Sequence, residues 1–279
     1  MPPRLGLVSR LDSDASKFAQ HILSFLRRKR IRALLEQNLA EKIGLQDGRP
    51  LREMRADAII TVGGDGTVLR THLEIPRPET PLIAVNMGRR GYLSEIRPRN
   101  ALHAIQRYIH GDYTLEDHMK LSVSFDGEHF HDALNEGLVC GSKPAKMLSF
   151  QVSVSGETLI RRWADGLIVA TPTGSTAHAY SAGGPILKGD VSALAIVFQS
   201  PLREPRSLVV PSKTPVDVRV LEYKSRPKLI VDGNLEREVS PSETVRFIES
   251  KHRARFVRFS SLFLEKSIER LASLERIID

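Results

Sequence analysis

The chain contains 279 residues with a formal net charge of +8, and 41% of its residues are hydrophobic and 27% charged. These values are ordinary for a soluble globular protein of one or two domains, and they exclude a disordered chain or a collagen-like repeat. The longest apolar run, 191–198, includes a serine and is far too short to cross a membrane as a helix. A single cysteine, Cys140, excludes an intrachain disulfide framework and a cysteine-based zinc site. With no signal peptide visible at the N-terminus, we expect a cytoplasmic protein.

The basic surplus favours polyanionic partners, such as nucleic acids, anionic membranes or small molecules that carry several phosphates. The densest cluster of cations, Arg27-Arg28-Lys29-Arg30, follows an apparent helix and lies at its C-terminal end, where cations suit the helix dipole. No aromatic residues interleave with this cluster, and no helix-turn-helix, RNP or zinc-finger spacing occurs elsewhere in the sequence. We therefore expect neither a nucleic-acid nor a membrane partner.

The first hundred residues alternate short apolar runs with helical patterns. Strands are predicted at Leu5–Val8, Ala58–Val62 and Leu82–Val85, and helices at Asp14–Leu26, Thr67–Leu73 and Ala101–His110. Apolar runs of four or five residues between helices are typical of parallel strands covered on both faces. The pattern predicts an α/β, nucleotide-binding-like domain over residues 1–112.

The pattern changes after Gly111-Asp112, where polar and apolar residues begin to alternate as they do in half-buried strands. Such segments occur at 120–125, 150–155, 194–198, 216–220, 229–231 and 244–248. They predict an antiparallel, all-β, sandwich-like domain over residues 113–259, with one helical insertion after Thr173. The apolar spacing over Ser261–Ile278 predicts an amphipathic helix, and we expect the segment 260–279 to pack back on the N-terminal domain.

The strongest local motif is Gly63-Gly64-Asp65-Gly66-Thr67, which lies between a predicted buried strand and a predicted helix. Glycines at such a turn let backbone N–H groups approach phosphate oxygens, and the helix N-terminus adds a favourable field. An aspartate there would repel a phosphate, which makes sense if Asp65 accepts a proton from an attacking hydroxyl or helps to hold a metal ion. The alternative is a tight turn in which Asp65 caps the following helix. The sequence contains no Walker A motif and no G-x-G-x-x-G.

A second motif, 164–185, contains a predicted buried strand that ends at Thr171, a turn rich in hydroxyls and glycine, and a short helix closed by Gly183-Gly184. Hydroxyls and open amides at the start of a helix suit sugar hydroxyls or phosphates, although an ordinary capped helix would give the same composition. A third signal is Asn135-Glu136, which interrupts an apolar β segment. An amide beside a carboxylate can both donate and accept hydrogen bonds with a polar ligand. The alternative is a β-bulge with exposed polar residues.

Together these segments resemble the NAD kinase family. The resemblance is carried by Gly63-Gly64-Asp65-Gly66-Thr67, by the stretch 86–93, by Asn135-Glu136, by Asp165–Pro185 and by Asp232-Gly233. Diacylglycerol-type lipid kinases share the first motif, whereas the Asp-Gly-Leu-Ile-Val-Ala-Thr-Pro-Thr-Gly-Ser-Thr-Ala stretch is much more specific to NAD kinases. The resemblance implies phosphoryl transfer from ATP or polyphosphate, with Mg²⁺, to the 2′-hydroxyl of the adenosine ribose of NAD, giving NADP.

The resemblance also implies roles for individual residues. Asp65 would be the base or orienting group for the 2′-hydroxyl, while Asn135 and Glu136 would hold ribose hydroxyls and the adenine side of NAD. Further NAD contacts are implied for Gly66, Tyr92, Thr176, Ala177, His178 and Ser181. The phosphates would face Gly63, Gly64, Gly66, Thr67 and Arg70. Asp165 would contact the dinucleotide across a subunit interface, which implies a homo-oligomer, either a dimer or a tetramer.

The chain departs from the family pattern at four positions: His178 stands in place of tyrosine, Tyr92 of phenylalanine, Arg90 of leucine and Arg206 of histidine. Two other functions remain open at this point. A diacylglycerol-type lipid kinase would need an apolar acceptor pocket and usually a membrane attachment. A non-catalytic regulator would bind NAD or NADP without turnover.

Overall fold

The structure is a computed structural model that describes residues 2–88, 91–203 and 207–259. The described residues form two compact units, one made of the chain up to Asp117 together with 254–259, and one made of His118–Arg253. The sequence predicts these boundaries at 112 and 259, because the change in hydrophobic pattern is the only boundary signal in the sequence. The predicted C-terminal helix over 260–279 lies outside the described residues, as do Arg90 and Arg206.

The first unit contains a parallel sheet with helices between its strands. Its elements are β1 (Arg4–Ser9), α1 (Ser13–Arg28), β2 (Arg32–Glu36), α2 (Gln37–Lys42), β3 (Gly48–Arg49), β4 (Ala58–Gly63), α3 (Asp65–Glu74), β5 (Leu82–Asn86) and α4 (Pro98–Ile109). The strands are ordered β5-β4-β1-β2-β3, and every pair among them is parallel. Strands β4 and β5 are buried along their whole length, which confirms the prediction made from their uninterrupted apolar runs.

Helix α1 shows how the sequence fixes one of these elements. The Asp12 carboxylate caps it by accepting hydrogen bonds from the N–H groups of Asp14 and Ala15. An apolar face that includes Ile22 and Leu26 is fully buried in the core of this unit. The basic cluster follows in the last turn and beyond it, as the helix-end interpretation predicts.

The second unit consists of antiparallel strands and one short helix. After β6 (Thr114–Phe125), its strands are β7 (Glu128–Ala133), β8 (Glu136–Gly141), β9 (Leu148–Val154), β10 (Glu157–Ala164), β11 (Gly166–Ala170), β12 (Ala193–Gln199), β13 (Leu208–Pro211), β14 (Val216–Tyr223), β15 (Pro227–Val231), β16 (Leu235–Glu238) and β17 (Val245–Arg258). One sheet has the order β10-β9-β14-β17, with β6 beside β17 and β7 beside β6, and the other has the order β13-β12-β11-β8-β15-β16. The helix α5 (His178–Ser181) follows a 3₁₀ turn at Gly174–Thr176.

Aromatic side chains connect these two sheets face to face. A Cβ on Gly137 of β8 would lie 2.4 Å from the ring of Phe247 on β17, so only glycine leaves room for that ring. The rings of Phe150 on β9 and Phe198 on β12 meet edge to face, with 6.3 Å between their centroids. The predicted combination of an α/β domain with an antiparallel, sandwich-like β-rich domain is thus confirmed.

Candidate active site

The glycine-rich motif forms the turn from β4 to α3, and its glycines have different reasons for being there. A Cβ on Gly63 would lie 2.2 Å from the Thr67 hydroxyl oxygen, so packing inside the turn requires glycine at that position. Apart from the chain neighbours and the backbone of the same helix, no described atom lies within 4 Å of a Cβ built on Gly64 or Gly66, and neither residue has a positive φ. The fold therefore does not require glycine at these two positions. Their open space lies at the start of α3, where the first N–H groups of a helix have no intrahelical acceptor.

Asp65 is the first residue of α3, and its carboxylate is held by the segment that follows β5. Oδ2 accepts a hydrogen bond from the Tyr92 N–H at 2.8 Å. Oδ1 accepts hydrogen bonds from the Leu93 N–H at 3.2 Å and from the Ser94 hydroxyl at 3.1 Å. A carboxylate has about four acceptor positions, so these donors orient Asp65 and leave about one position, on Oδ2, for a further donor. The interpretation of Asp65 as a helix cap is wrong, because Gly64 occupies the N-cap.

The other predicted phosphate contacts are already engaged within the protein. The Thr67 side chain is buried against Gly63, and its N–H donates to the Gly64 carbonyl at 3.0 Å. Arg70 forms a two-point ion pair with the buried Glu36 carboxylate, with N–O distances of 2.5 and 3.1 Å. The Arg70 guanidinium would therefore have to share or leave Glu36 to reach a phosphate.

In the second unit, Asn135 and Glu136 lie at the corner between β7 and β8, and each is only 7% exposed. Glu136 is the first residue of β8 and pairs in register with Ala170 of β11. The alternative of an exposed β-bulge is therefore wrong. Among the described residues, the buried Glu136 Oε2 has no hydrogen-bond partner. The backbone of this corner is therefore hydrogen-bonded within the protein, whereas Glu136 Oε2 is not.

Burial raises the pKa of Glu136 to about 8, and the nearby Asp232 carboxylate adds to this effect. This shift favours the neutral carboxylic acid at pH 7. In that form it can donate one hydrogen bond as well as accept others, whereas the sequence interpretation treats it only as an acceptor.

The hydroxyl-rich segment packs against this corner. Strand β11 ends at Ala170, one residue before the predicted end, and a Cβ on Gly174 would lie 2.0 Å from the Asn135 carbonyl oxygen. The Ser175 hydroxyl donates to the Pro172 carbonyl at 2.6 Å and accepts from the Leu187 N–H at 2.9 Å, which fixes the turn. The predicted site residues then follow in sequence: Thr176, Ala177, His178 and Ser181 are all at least partly exposed.

The end of β12 connects two of the predicted residues. The exposed His178 ring has its Nε2 at 2.7 Å from the Gln199 amide nitrogen, and the Asp165 N–H donates to the Gln199 carbonyl at 3.0 Å. The sequence gives no sign of Gln199, because a polar residue at the end of a strand is common. It also gives no sign that the Ser94 hydroxyl binds the Asp65 carboxylate.

Neither a metal centre nor a membrane segment appears in the described structure. Within residues 2–88, 91–203 and 207–259, no three histidine, cysteine, aspartate or glutamate side chains come together as metal ligands. In the same part of the chain, no helix combines the length and the apolar composition needed to cross a membrane.

Comparisons with known proteins identify the family. The model of the ATP-NAD kinase N-terminal domain matches residues 5–113, and that of the ATP-NAD kinase C-terminal domain matches residues 134–259. An NAD kinase of Methanothermobacter thermautotrophicus is 37% identical over 272 residues, which cover 96% of each chain.

Solved structures agree with this result. The crystal structure of an NAD kinase from Archaeoglobus fulgidus in complex with ATP has a TM-score of 0.78 at 25% identity, covering 97% of this chain and 99% of that one. The crystal structure of yeast NADH kinase complexed with NADH has a TM-score of 0.88 at 21% identity, covering 98% of this chain and 88% of that one, and it supports the fold. The chain therefore belongs to the NAD kinase family of phosphotransferases.

Proposed function

We propose that this protein transfers the terminal phosphoryl group of ATP to the 2′-hydroxyl of the adenosine ribose of NAD, giving NADP. The observation that carries the proposal is the turn at 63–67, where an oriented carboxylate stands between two glycines that the fold does not require. Phosphoryl transfer depends on positioning and charge neutralisation more than on covalent participation by the protein. The fixed carboxylate would position the acceptor hydroxyl, and the open N–H groups of the turn would offset phosphate charge.

Asp65 is the proposed base or orienting group for the 2′-hydroxyl. Its remaining acceptor position on Oδ2 would take the hydroxyl proton, while the donors from Tyr92, Leu93 and Ser94 keep the carboxylate from rotating. Gly64 and Gly66 would let phosphate oxygens reach the start of α3. Packing between Gly63 and the Thr67 side chain would keep the shape of the same turn. Arg70, which pairs with Glu36, would add positive charge.

NAD would be held in the second unit by Asn135 and Glu136, and the buried Glu136 Oε2, which has no partner among the described residues, supports this proposal. The Asn135 amide can accept from one ribose hydroxyl and donate to another, and the neutral Glu136 can donate to a ring nitrogen or ribose oxygen. Contacts with the rest of the dinucleotide are proposed for Tyr92 and for the segment that ends in α5, at Thr176, Ala177, His178 and Ser181.

Mg²⁺ would accompany the nucleotide. Its preference for oxygen ligands would be met by the phosphate oxygens of ATP and by water, because the free Oδ2 position of Asp65 is proposed for the 2′-hydroxyl. When bound, the cation would neutralise phosphate charge; the residues of the chain would position the acceptor.

We also propose a homo-oligomer, because the family resemblance assigns Asp165 a contact with dinucleotide bound to a neighbouring subunit. A cytoplasmic location is proposed from the cysteine content: Cys140 is the only cysteine in the chain, and burial raises the pKa of its thiol, so it is poorly suited to disulfide exchange.

Labelled ATP supplied with NAD and with diacylglycerol in parallel tests the proposal. We expect label only in NADP. A chelator added to a parallel reaction should abolish NADP formation, because the reaction needs a divalent cation. Running polyphosphate beside ATP decides the donor. Label in the lipid would favour the lipid-kinase alternative, which the match of both domains does not favour. Binding of NAD without any labelled product would favour the non-catalytic regulator.

A further inference from the structure

The corner Leu134–Asn135–Glu136 has an unusual backbone environment. Its three N–H groups all donate to the Asp232 carboxylate, Leu134 to Oδ2 at 2.7 Å and Asn135 and Glu136 to Oδ1 at 2.8 and 3.0 Å. In return, the Asp232 N–H donates to the Glu136 carbonyl at 3.0 Å. One side chain thus fixes three consecutive peptide units.

Thr171 satisfies the carbonyl groups that remain. Its hydroxyl donates to the Leu134 carbonyl at 2.6 Å, and its N–H donates to the Asn135 carbonyl at 2.8 Å. The same hydroxyl oxygen accepts the Gly174 N–H at 3.1 Å, which connects the corner to the hydroxyl-rich segment. All the backbone polar groups of the three corner residues are therefore bonded to Asp232 or Thr171.

Both of these residues are buried, and Asp232 also has an uncommon backbone conformation. Asp232 is 3% exposed and has a φ of +48°, a conformation that residues other than glycine adopt rarely. Burial raises the pKa of Asp232 to about 6, while its three N–H donors and the buried Lys120 act in the opposite direction. Thr171 is completely buried. A buried carboxylate that accepts three N–H groups stays fixed in one orientation.

We propose that Asp232 and Thr171 are positioning residues for the acceptor substrate: together they preset the 134–136 backbone so that the Asn135 and Glu136 side chains meet the ribose and adenine of NAD without rearrangement. The inference rests on the proposed function for its ligand, and on the hydrogen bonds above for its mechanism. Preset side chains lose less conformational freedom on binding, so disturbing either residue weakens NAD binding while leaving the ATP contacts alone.

Three variants test this. Asp232→Asn keeps the shape of the side chain but turns one acceptor oxygen into a donor that faces an N–H group. Thr171→Val keeps the shape but removes the hydroxyl, and Thr171→Ser restores the hydroxyl on a smaller side chain. The measurements are the Kd of NAD by calorimetry, the KM values of NAD and ATP, and the melting temperature.

We expect Asp232→Asn and Thr171→Val to raise the Kd and KM of NAD at least tenfold, the KM of ATP to change less than threefold, and Thr171→Ser to recover most of the loss. A lower melting temperature with an unchanged Kd of NAD in either of the first two variants would reduce these residues to a purely structural role and overturn the inference. Wild-type protein that makes no NADP would instead overturn the proposed function.

Amide hydrogen exchange on the wild-type protein covers the case in which a variant does not fold. We expect the amides of residues 134–136 to be strongly protected without ligand, and NAD to add little protection. Rapid exchange that slows only when NAD is added would show that the corner is not preset, and it would overturn the inference.

Discussion

Replacing Gly66 with alanine should separate the fold from the function at the phosphate turn. Gly66 is exposed, its φ is not positive, and, apart from its chain neighbours and the backbone of the same helix, no described atom lies within 4 Å of the position of the new methyl group. It occupies the second residue of α3, where alanine in place of glycine stabilises a helix by about 0.4–1 kcal/mol. For a chain of this size, that corresponds to a rise in Tm of about 1–4 °C.

The same methyl group would occupy space that phosphate oxygens need to reach the backbone. A displacement of reacting groups by about 1 Å can cost roughly 100-fold in rate, so we expect Gly66→Ala to lower kcat/KM by about that factor. The assay is NADP formation at varied ATP, with Tm measured on the same preparation. Gly63→Ala provides the contrast, because its methyl group would clash with the Thr67 hydroxyl and should lower Tm. A Gly66→Ala variant with unchanged kinetic constants would refute the idea that this open space receives phosphate.

Three further predictions concern Glu136 and the assembly. Glu136→Ala should raise the KM of NAD about two- to tenfold and the KM of ATP much less, since it removes one hydrogen bond made by a neutral carboxylic acid; equal changes in both constants would contradict the assignment. Because burial raises the pKa of Glu136 from 4.5 to about 8, the folded state keeps a proton that the unfolded state loses, and stability should fall as pH rises through this window. Between pH 6.5 and 7.5 the loss should reach up to about 1.4 kcal/mol in the wild-type protein and should vanish in Glu136→Gln, whereas parallel curves would show that Glu136 is ionised. Sedimentation at assay concentration should show an oligomer, and Asp165→Ala should raise the KM of NAD; an active monomer would exclude a role for Asp165 across an interface.

Strands with strong patterns could be predicted from the sequence because burial on both faces leaves an uninterrupted apolar run. Strand β4 shows this clearly, since all of its residues are buried. The sequence does not predict strand β2, because Arg32-Ala-Leu-Leu-Glu36 begins and ends with charged residues. The buried Glu36 is tolerated there only because Arg70, far along the chain, forms an ion pair with it.

Chemical identity could be predicted at the candidate site, but the hydrogen-bond partners could not. The sequence singles out Asp65, Asn135 and Glu136 by residue type and local spacing. It does not reveal that Asp65 is held by Ser94, or that the backbone of Asn135 is held by Asp232, because these partners are 29 and 97 residues away. The protonation of Glu136 is equally hidden, since it depends on burial that only the assembled sheets create.

The effect of Asp65→Asn on turnover and on NAD binding tests the central claim most directly. If the carboxylate acts on the hydroxyl proton, kcat should fall by about 10²–10⁴ while the Kd of NAD, measured by calorimetry without ATP, changes less than a few-fold. The amide also weakens the hydrogen bonds from Tyr92 and Leu93, so Ser94→Ala, which removes one of the donors to the carboxylate and leaves the charge in place, serves as the control. The account predicts a large loss of kcat in Asp65→Asn and a much smaller one in Ser94→Ala. Near-normal kcat in Asp65→Asn together with a lowered Tm would show that Asp65 only anchors the neighbouring loop, and would contradict the account.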